Sequence, residues 1–127
     1  MIRKLAELPV IAKMNIRGGV GSAHSATYLA KDDLAGVLAA GRTVLEAGSS
    51  IGEHSHPDTE ELYLILDGQG RGVLDGRSFP VAAGDLFLVK AGHSHGLIND
   101  SDATLTFFGL MTPYSNDQPG SGAKRLP

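Results

Sequence analysis

The sequence predicts an all-β fold of many short strands, and three observations carry that reading. Its 17 glycines fall at intervals that divide the chain into short apolar runs. Several of those runs alternate apolar with polar residues, as a half-buried strand does. Asp67-Gly68 and Asp75-Gly76 have the form of hairpin turns, in which glycine supplies positive φ.

Taken in order, Leu5–Leu8 is expected as a short helical turn stopped by Pro9. The stretch 15–23 contains Arg17-Gly18-Gly19-Val20-Gly21. It follows no strand-to-helix pattern, so it reads as an extended arm or a close backbone crossing rather than a phosphate loop. Strands are predicted at 25–30, 37–46, 51–56, 61–66, 70–74, 77–81, 85–89, 95–99 and 103–110. Asp32-Asp33-Leu34 is a connecting turn, and Pro57-Asp58-Thr59 is another, because Pro presets φ and Asp favours local bonding. After Pro113 the chain becomes polar and rich in Pro and Gly, and cannot support a core. The expected organisation is an N-terminal arm over 1–35, a barrel over 36–113 and a polar extension over 114–127.

Length and composition fit one compact domain: 127 residues, 42% hydrophobic. A net charge of −3 with scattered basic residues gives no ground for nucleic-acid or membrane-surface binding. No apolar run approaches the length of a membrane span. The N-terminus is too weakly apolar for a secretory signal, and a cytoplasmic location is expected. With no cysteine, disulfides and thiol catalysis are excluded.

The chemistry concentrates in two stretches. The first runs Gly48-SSIGE-His54-Ser-His56-PDTE-Glu61-LYLILD-Gly68; the second runs Gly84-DLFLV-Lys90-Ala-Gly92-HS-His95-GLI-Asn99. On a strand, side chains two apart share a face, so His54 and His56 can approach one ion together. If Glu61 points inward, so do Tyr63 and Ile65, while Glu60 points away; Glu61 is therefore the expected carboxylate. His95 must arrive from a strand distant in sequence. Three imidazoles and a carboxylate suit one divalent transition metal: iron, manganese, zinc, nickel or cobalt. Four protein ligands on an octahedral ion leave two open positions, enough for a bidentate substrate.

These stretches resemble the paired motifs of the cupin superfamily. The first fits at every fixed position. The second fits at Gly84, Gly92, His95 and Asn99, with Lys90 where the family usually has proline. The resemblance implies a double-stranded β-helix, the jelly-roll or cupin barrel, with its metal inside and an N-terminal strand arm through which small cupins often pair as homodimers. It also implies a structural role for Asn99. It does not imply one reaction, since the family hosts many.

Beyond the metal ligands His54, His56, Glu61 and His95, the catalytic candidates are His93, Tyr63 and Arg42. Alternation places His93 on the face of His95 at the pocket mouth, where an imidazole would exchange protons; otherwise it is a solvated loop residue. Tyr63 shares the face of Glu61. Arg42 lies mid-strand and, if buried, would want a substrate carboxylate. His24 is expected at the surface or on the arm, and Lys90 in a solvated loop. Phe79, Phe87, Phe107 and Phe108 are expected in the core.

The favoured function is a metal-dependent cupin enzyme acting on a small oxygen-rich molecule, of oxygenase or decarboxylase type. Isomerase, lyase or cyclase chemistry is the alternative, as is a binding barrel that turns nothing over. A sensor would usually carry a DNA-binding segment, and none is evident. Seed-storage cupins generally carry two barrels and lose the ligands. The expected partners are a small-molecule substrate and a second copy of the chain.

Overall fold

The computed structural model describes residues 1–115. From Asn116 onward the expected polar extension lies outside the described residues.

Among the described residues ten strands form two antiparallel sheets. They are β1 (Ile11–Met14), β2 (Ser22–Leu29), β3 (Ala39–Leu45), β4 (Ser50–Ser55), β5 (Thr59–Asp67), β6 (Gln69–Leu74), β7 (Arg77–Ala82), β8 (Leu86–Val89), β9 (Ser94–Ile98) and β10 (Leu105–Pro113). One sheet has the order β1-β2-β3-β10-β5-β8 and the other β4-β9-β6-β7. Successive strands repeatedly change sheet, which makes a double-stranded β-helix. Its inner faces carry the alternating apolar residues.

The core lies between the sheets. Leu45, Ile65, Leu97 and Leu105 are fully buried, each stabilising the fold by about 1.5–3 kcal/mol. Tyr63 packs on Phe107 and Phe87 at ring-centroid distances of 4.4 and 5.4 Å, and Phe79 packs on Phe87 at 5.3 Å. Phe108, one residue along β10, projects to the other face and meets Tyr28 at 6.4 Å. Asn99 is completely buried. Its amide donates to the carbonyls of Leu45, Glu46 and Ala103, and its Oδ1 accepts from Ser101. It ties the end of β3 to the β9–β10 connection.

Two sequence expectations need correction. Asp67-Gly68 is not a hairpin turn: β5 and β6 belong to different sheets, and Gly68 (φ 85°) carries the chain between them. A Cβ at Gly68 would lie 2.4 Å from the Thr104 carbonyl oxygen, so the position needs glycine for space as well as for φ. Asp75-Gly76 does close a hairpin, β6 to β7, with positive φ at both residues (48° and 77°), as a type I′ turn requires. The second concerns the N-terminal strand arm, whose strand was expected without bounds of its own and is β1. All four of its residues are exposed and among the described residues it pairs only with β2, so no burial pattern marks where it runs.

The glycine-rich stretch is a close backbone crossing. Residues Ile16–Gly18 form a 3₁₀ turn, and Gly19 passes against Gly52 of β4. A Cβ on Gly19 would stand 2.2 Å from the Ser50 carbonyl oxygen, and one on Gly52 would stand 2.2 Å from the Arg17 carbonyl oxygen. Only two residues without side chains can cross so closely.

Candidate metal centre

Three strands, β4, β5 and β9, bring the ligand set together. Strand β4 pairs with β9, with Ile51 opposite Leu97 and then His54 opposite His95; the register shifts by one residue between them. That bulge falls at Gly52-Glu53. It lets Ile51 and His54, three apart, both face the cavity, which plain alternation would forbid. His56 follows just beyond the end of β4, two residues after His54. Glu61 enters from β5, on the face that buries Tyr63 and Ile65. Glu60 points away and pairs with Lys90 at 2.9 Å.

His54, His56, Glu61 and His95 each offer a ligand atom, all within 4.8 Å of one another. His95 Nε2 lies 3.2 Å from His54 Nε2 and 3.0 Å from Glu61 Oε1, while His56 Nε2 lies 4.0 Å from Glu61 Oε1. On an octahedral ion with bonds near 2.1 Å, adjacent ligand atoms stand about 3 Å apart and opposite ones about 4.2 Å, so this spacing suits closure on one ion. His54 Nδ1–H donates to the Gly52 carbonyl at 2.7 Å. That bond fixes the tautomer and turns the Nε2 lone pair toward the cluster. His56 Nε2 is buried without a hydrogen-bond partner among the described residues, a cost that a bound cation would remove. The residues present therefore fit a divalent metal.

Electrostatics point the same way. Burial, with smaller contributions from the neighbouring positive groups, holds the pKa of His54 below the ordinary imidazole range, although its bond to Gly52 opposes the shift. Burial likewise lowers His56, against the pull of Glu61. Neutral imidazole is the form that binds metal. Burial, then the Glu61 charge, raises the Tyr63 phenol well above its ordinary value, so it stays protonated and keeps a proton to donate.

The cluster opens into a cavity of about 230 Å³ lined by His54, His56, Glu61, Tyr63 and Phe107, with Ala26, Ala40 and Thr43 on the far strands. That is smaller than the usual drug-sized pocket of about 300–1,000 Å³ and suits a small acid or sugar fragment. His95 lies beneath the opening, 1% exposed, and Tyr63 stacks on it at 4.9 Å.

Two of the three catalytic candidates stand elsewhere. β9 begins at Ser94, so alternation does not reach His93. It sits in the preceding turn, at the surface, and donates to Asp75 at 2.7 Å. Arg42 lies between Gly41 and Thr43, which line the cavity, and projects from the opposite face of β3. Tyr63 alone joins the ligands. His24 pairs with Glu46 at 3.0 Å on the exterior. The sequence reading missed Lys13 and Arg17, which line the cavity from the N-terminal segment. The glycine run around Arg17 was the available signal.

The fold and this site define a cupin. The cupin domain family model matches residues 41–112, and the chain belongs to that family. It is 32% identical over 114 residues to a Thermotoga maritima protein named Oxalate-binding protein, covering 87% of this chain and 93% of that one. The crystal structure of a predicted oxalate decarboxylase from Thermotoga maritima has a TM-score of 0.86 at 30% identity, over 90% of this chain and 100% of that chain. The Schizosaccharomyces pombe Cnp3 cupin domain, at 14% identity and TM-score 0.71 over 98% and 82% of the two chains, shares the fold alone. No helix among the described residues is long and apolar enough to cross a membrane.

Proposed function

We propose that the chain is a metal-dependent cupin acting on a small carboxylic acid, with oxalate the first substrate to test, and that its chemistry is of decarboxylase or oxygenase type. The convergence of His54, His56, Glu61 and His95 at the base of a small cavity carries this reading. The Thermotoga maritima matches, described as oxalate-binding and as a predicted oxalate decarboxylase, support the choice of acid. When bound, a divalent metal would supply Lewis acidity to a carboxylate oxygen and, as iron or manganese, access to redox chemistry. The chain itself would hold that ion through the three imidazoles and Glu61. The Tyr63 phenol would donate to a ligand oxygen, and the Phe107 ring would exclude water from one side.

A second reading is favoured by the location of His93 and Arg42 outside the cavity. The cavity wall then carries few groups able to shuttle protons, which suits a barrel that binds its ligand without turning it over. Zinc or nickel as the native metal would instead direct the search to isomerase, lyase or cyclase substrates. We also propose a homodimer through the N-terminal strands, supported by the exposure of Ile11 and Met14 on the edge strand β1; sedimentation equilibrium tests it.

The catalytic reading is tested by loading the chain with Mn(II) or Fe(II), adding oxalate, and following O₂ uptake together with CO₂ and formate release. Turnover that disappears in His54→Ala supports it. Stoichiometric oxalate binding without any turnover supports the binding barrel.

A further inference from the structure

Arg17 occupies a position whose backbone a glycine would adopt more readily. Its φ is 53°, and Asn15 two residues earlier is also left-handed at 50°. Such conformations in residues with a side chain are uncommon and persist where the surroundings over-determine them. Here the surroundings do so. Asn15 N–H donates to Gly21 O at 3.0 Å, Gly18 N–H to Asn15 O at 3.1 Å and Gly19 N–H to Ile16 O at 2.9 Å. The Arg17 carbonyl is pressed against Gly52, whose own carbonyl orients His54. Glycines stand at 18, 19 and 21, yet position 17 keeps an arginine.

Arg17 lines the metal-site cavity, and so does Lys13. Neither has a carboxylate partner among the described residues, whereas Arg3 pairs with Asp33 and Lys90 with Glu60. The Arg17 charge is felt at His54, His56 and Tyr63, so it lies within electrostatic reach of anything bound there. Among the described residues Glu61 is the single carboxylate lining the cavity, against two cations. With a divalent ion added, the site carries an excess of three positive charges. A monoanion leaves two of them uncompensated, and a dianion leaves one.

We infer that Arg17, assisted by Lys13, is an anion subsite that holds the second carboxylate of a small dianion whose first carboxylate sits at the metal cluster. The inference rests on the function proposed above and deepens it: the cavity selects dicarboxylates over monocarboxylates, and Arg17 is the selecting residue. A guanidinium presents two parallel N–H donors that match a carboxylate. A backbone held by three hydrogen bonds fixes where that side chain starts, beside the cavity, although the residue is exposed.

Calorimetric titration of the Mn(II)-loaded full chain with oxalate and with formate, at matched ionic strength, tests this. The wild type binds oxalate more tightly than formate. Arg17→Gln and Arg17→Gly each lose oxalate affinity by about tenfold or more, as expected for removal of charge-assisted hydrogen bonds, with a clearly smaller loss for formate and metal stoichiometry unchanged. Arg17→Gly relieves the left-handed backbone, so it folds even if the glutamine variant does not. Arg17→Lys recovers part of the loss. Equal oxalate affinity in the wild type and both variants overturns the inference alone, as does loss of metal in both, which would make Arg17 a support of the metal site. A metal-loaded wild type that binds neither acid overturns the proposed function itself.

Discussion

His54, His56, Glu61 and His95 stand on or beside β4, β5 and β9 and are largely withdrawn from solvent, whereas Arg17 is exposed on a tight turn with left-handed backbone. One cavity is thus built by two means. At its base, strand pairing and one bulge place short, nearly rigid imidazoles, and burial lowers the pKa of His54 and His56. At the N-terminal side, a long flexible side chain is positioned by constraining the backbone beneath it. The base is suited to gripping an ion whose geometry is fixed. The N-terminal turn is suited to meeting a ligand that arrives and leaves. The two are joined at Gly52, which abuts Arg17 on one side and orients His54 on the other.

The sharpest contrast is expected from the ligands. His95→Ala, which removes the most buried imidazole, should weaken metal affinity by more than about 100-fold, since even outer-shell changes reach about 10–100-fold. Glu60→Gln should leave affinity unchanged, and competition with a chelating dye reads both. If Glu60→Gln lost the metal while Glu61→Gln kept it, the β5 face would be misassigned.

Next comes the crossing that joins the two regions. Gly52→Ala places a Cβ against fixed backbone and should destabilise the fold by about 1–3 kcal/mol in urea unfolding, with metal and oxalate binding weakened together. If only one of the two bindings changed, the base and the turn would be mechanically independent. Asn99→Ala, distant from both, should cost about 1–3 kcal/mol through unsatisfied carbonyls while leaving metal stoichiometry at the wild-type value.

The smallest effect concerns pH. Because burial lowers the pKa of His54 and His56 in the folded chain, the unfolded chain takes up protons first as pH falls. Metal-free protein should therefore hold its stability above about pH 6.5, the ordinary imidazole value, and lose it as pH drops below that. Replacing both residues with glutamine should flatten the dependence in that window. An unchanged slope would show that burial of these imidazoles does not govern it.

The base of the cavity was largely legible in the sequence because alternation is a local rule. It separates Glu61 from Glu60, and the two stretches of fixed spacing already resemble a known pair of motifs. The bulge at Gly52-Glu53 was not legible, since its cause is pairing with β9, more than forty residues away. Two Asp-Gly dipeptides look alike in sequence. Only the partners of their flanking strands make Asp75-Gly76 a hairpin and Asp67-Gly68 a passage between sheets. For His93 and Arg42 the sequence left two placements open, for related reasons. One lies just outside a strand, where alternation no longer holds, and the other lies on a strand whose inward face was unknown. Arg17 escaped because an exposed arginine among glycines has no periodicity to read, and its role depends on β4 passing underneath.

The central claim is that His54, His56, Glu61 and His95 hold one divalent metal. Its most direct test is elemental mass spectrometry on untagged protein purified from a native-like host, repeated after reconstitution and beside a His54→Ala, His56→Ala double variant. About one transition-metal ion per chain is expected in the wild type and none in the variant. A wild type that retains no metal after reconstitution would contradict it and leave a metal-free ligand-binding barrel.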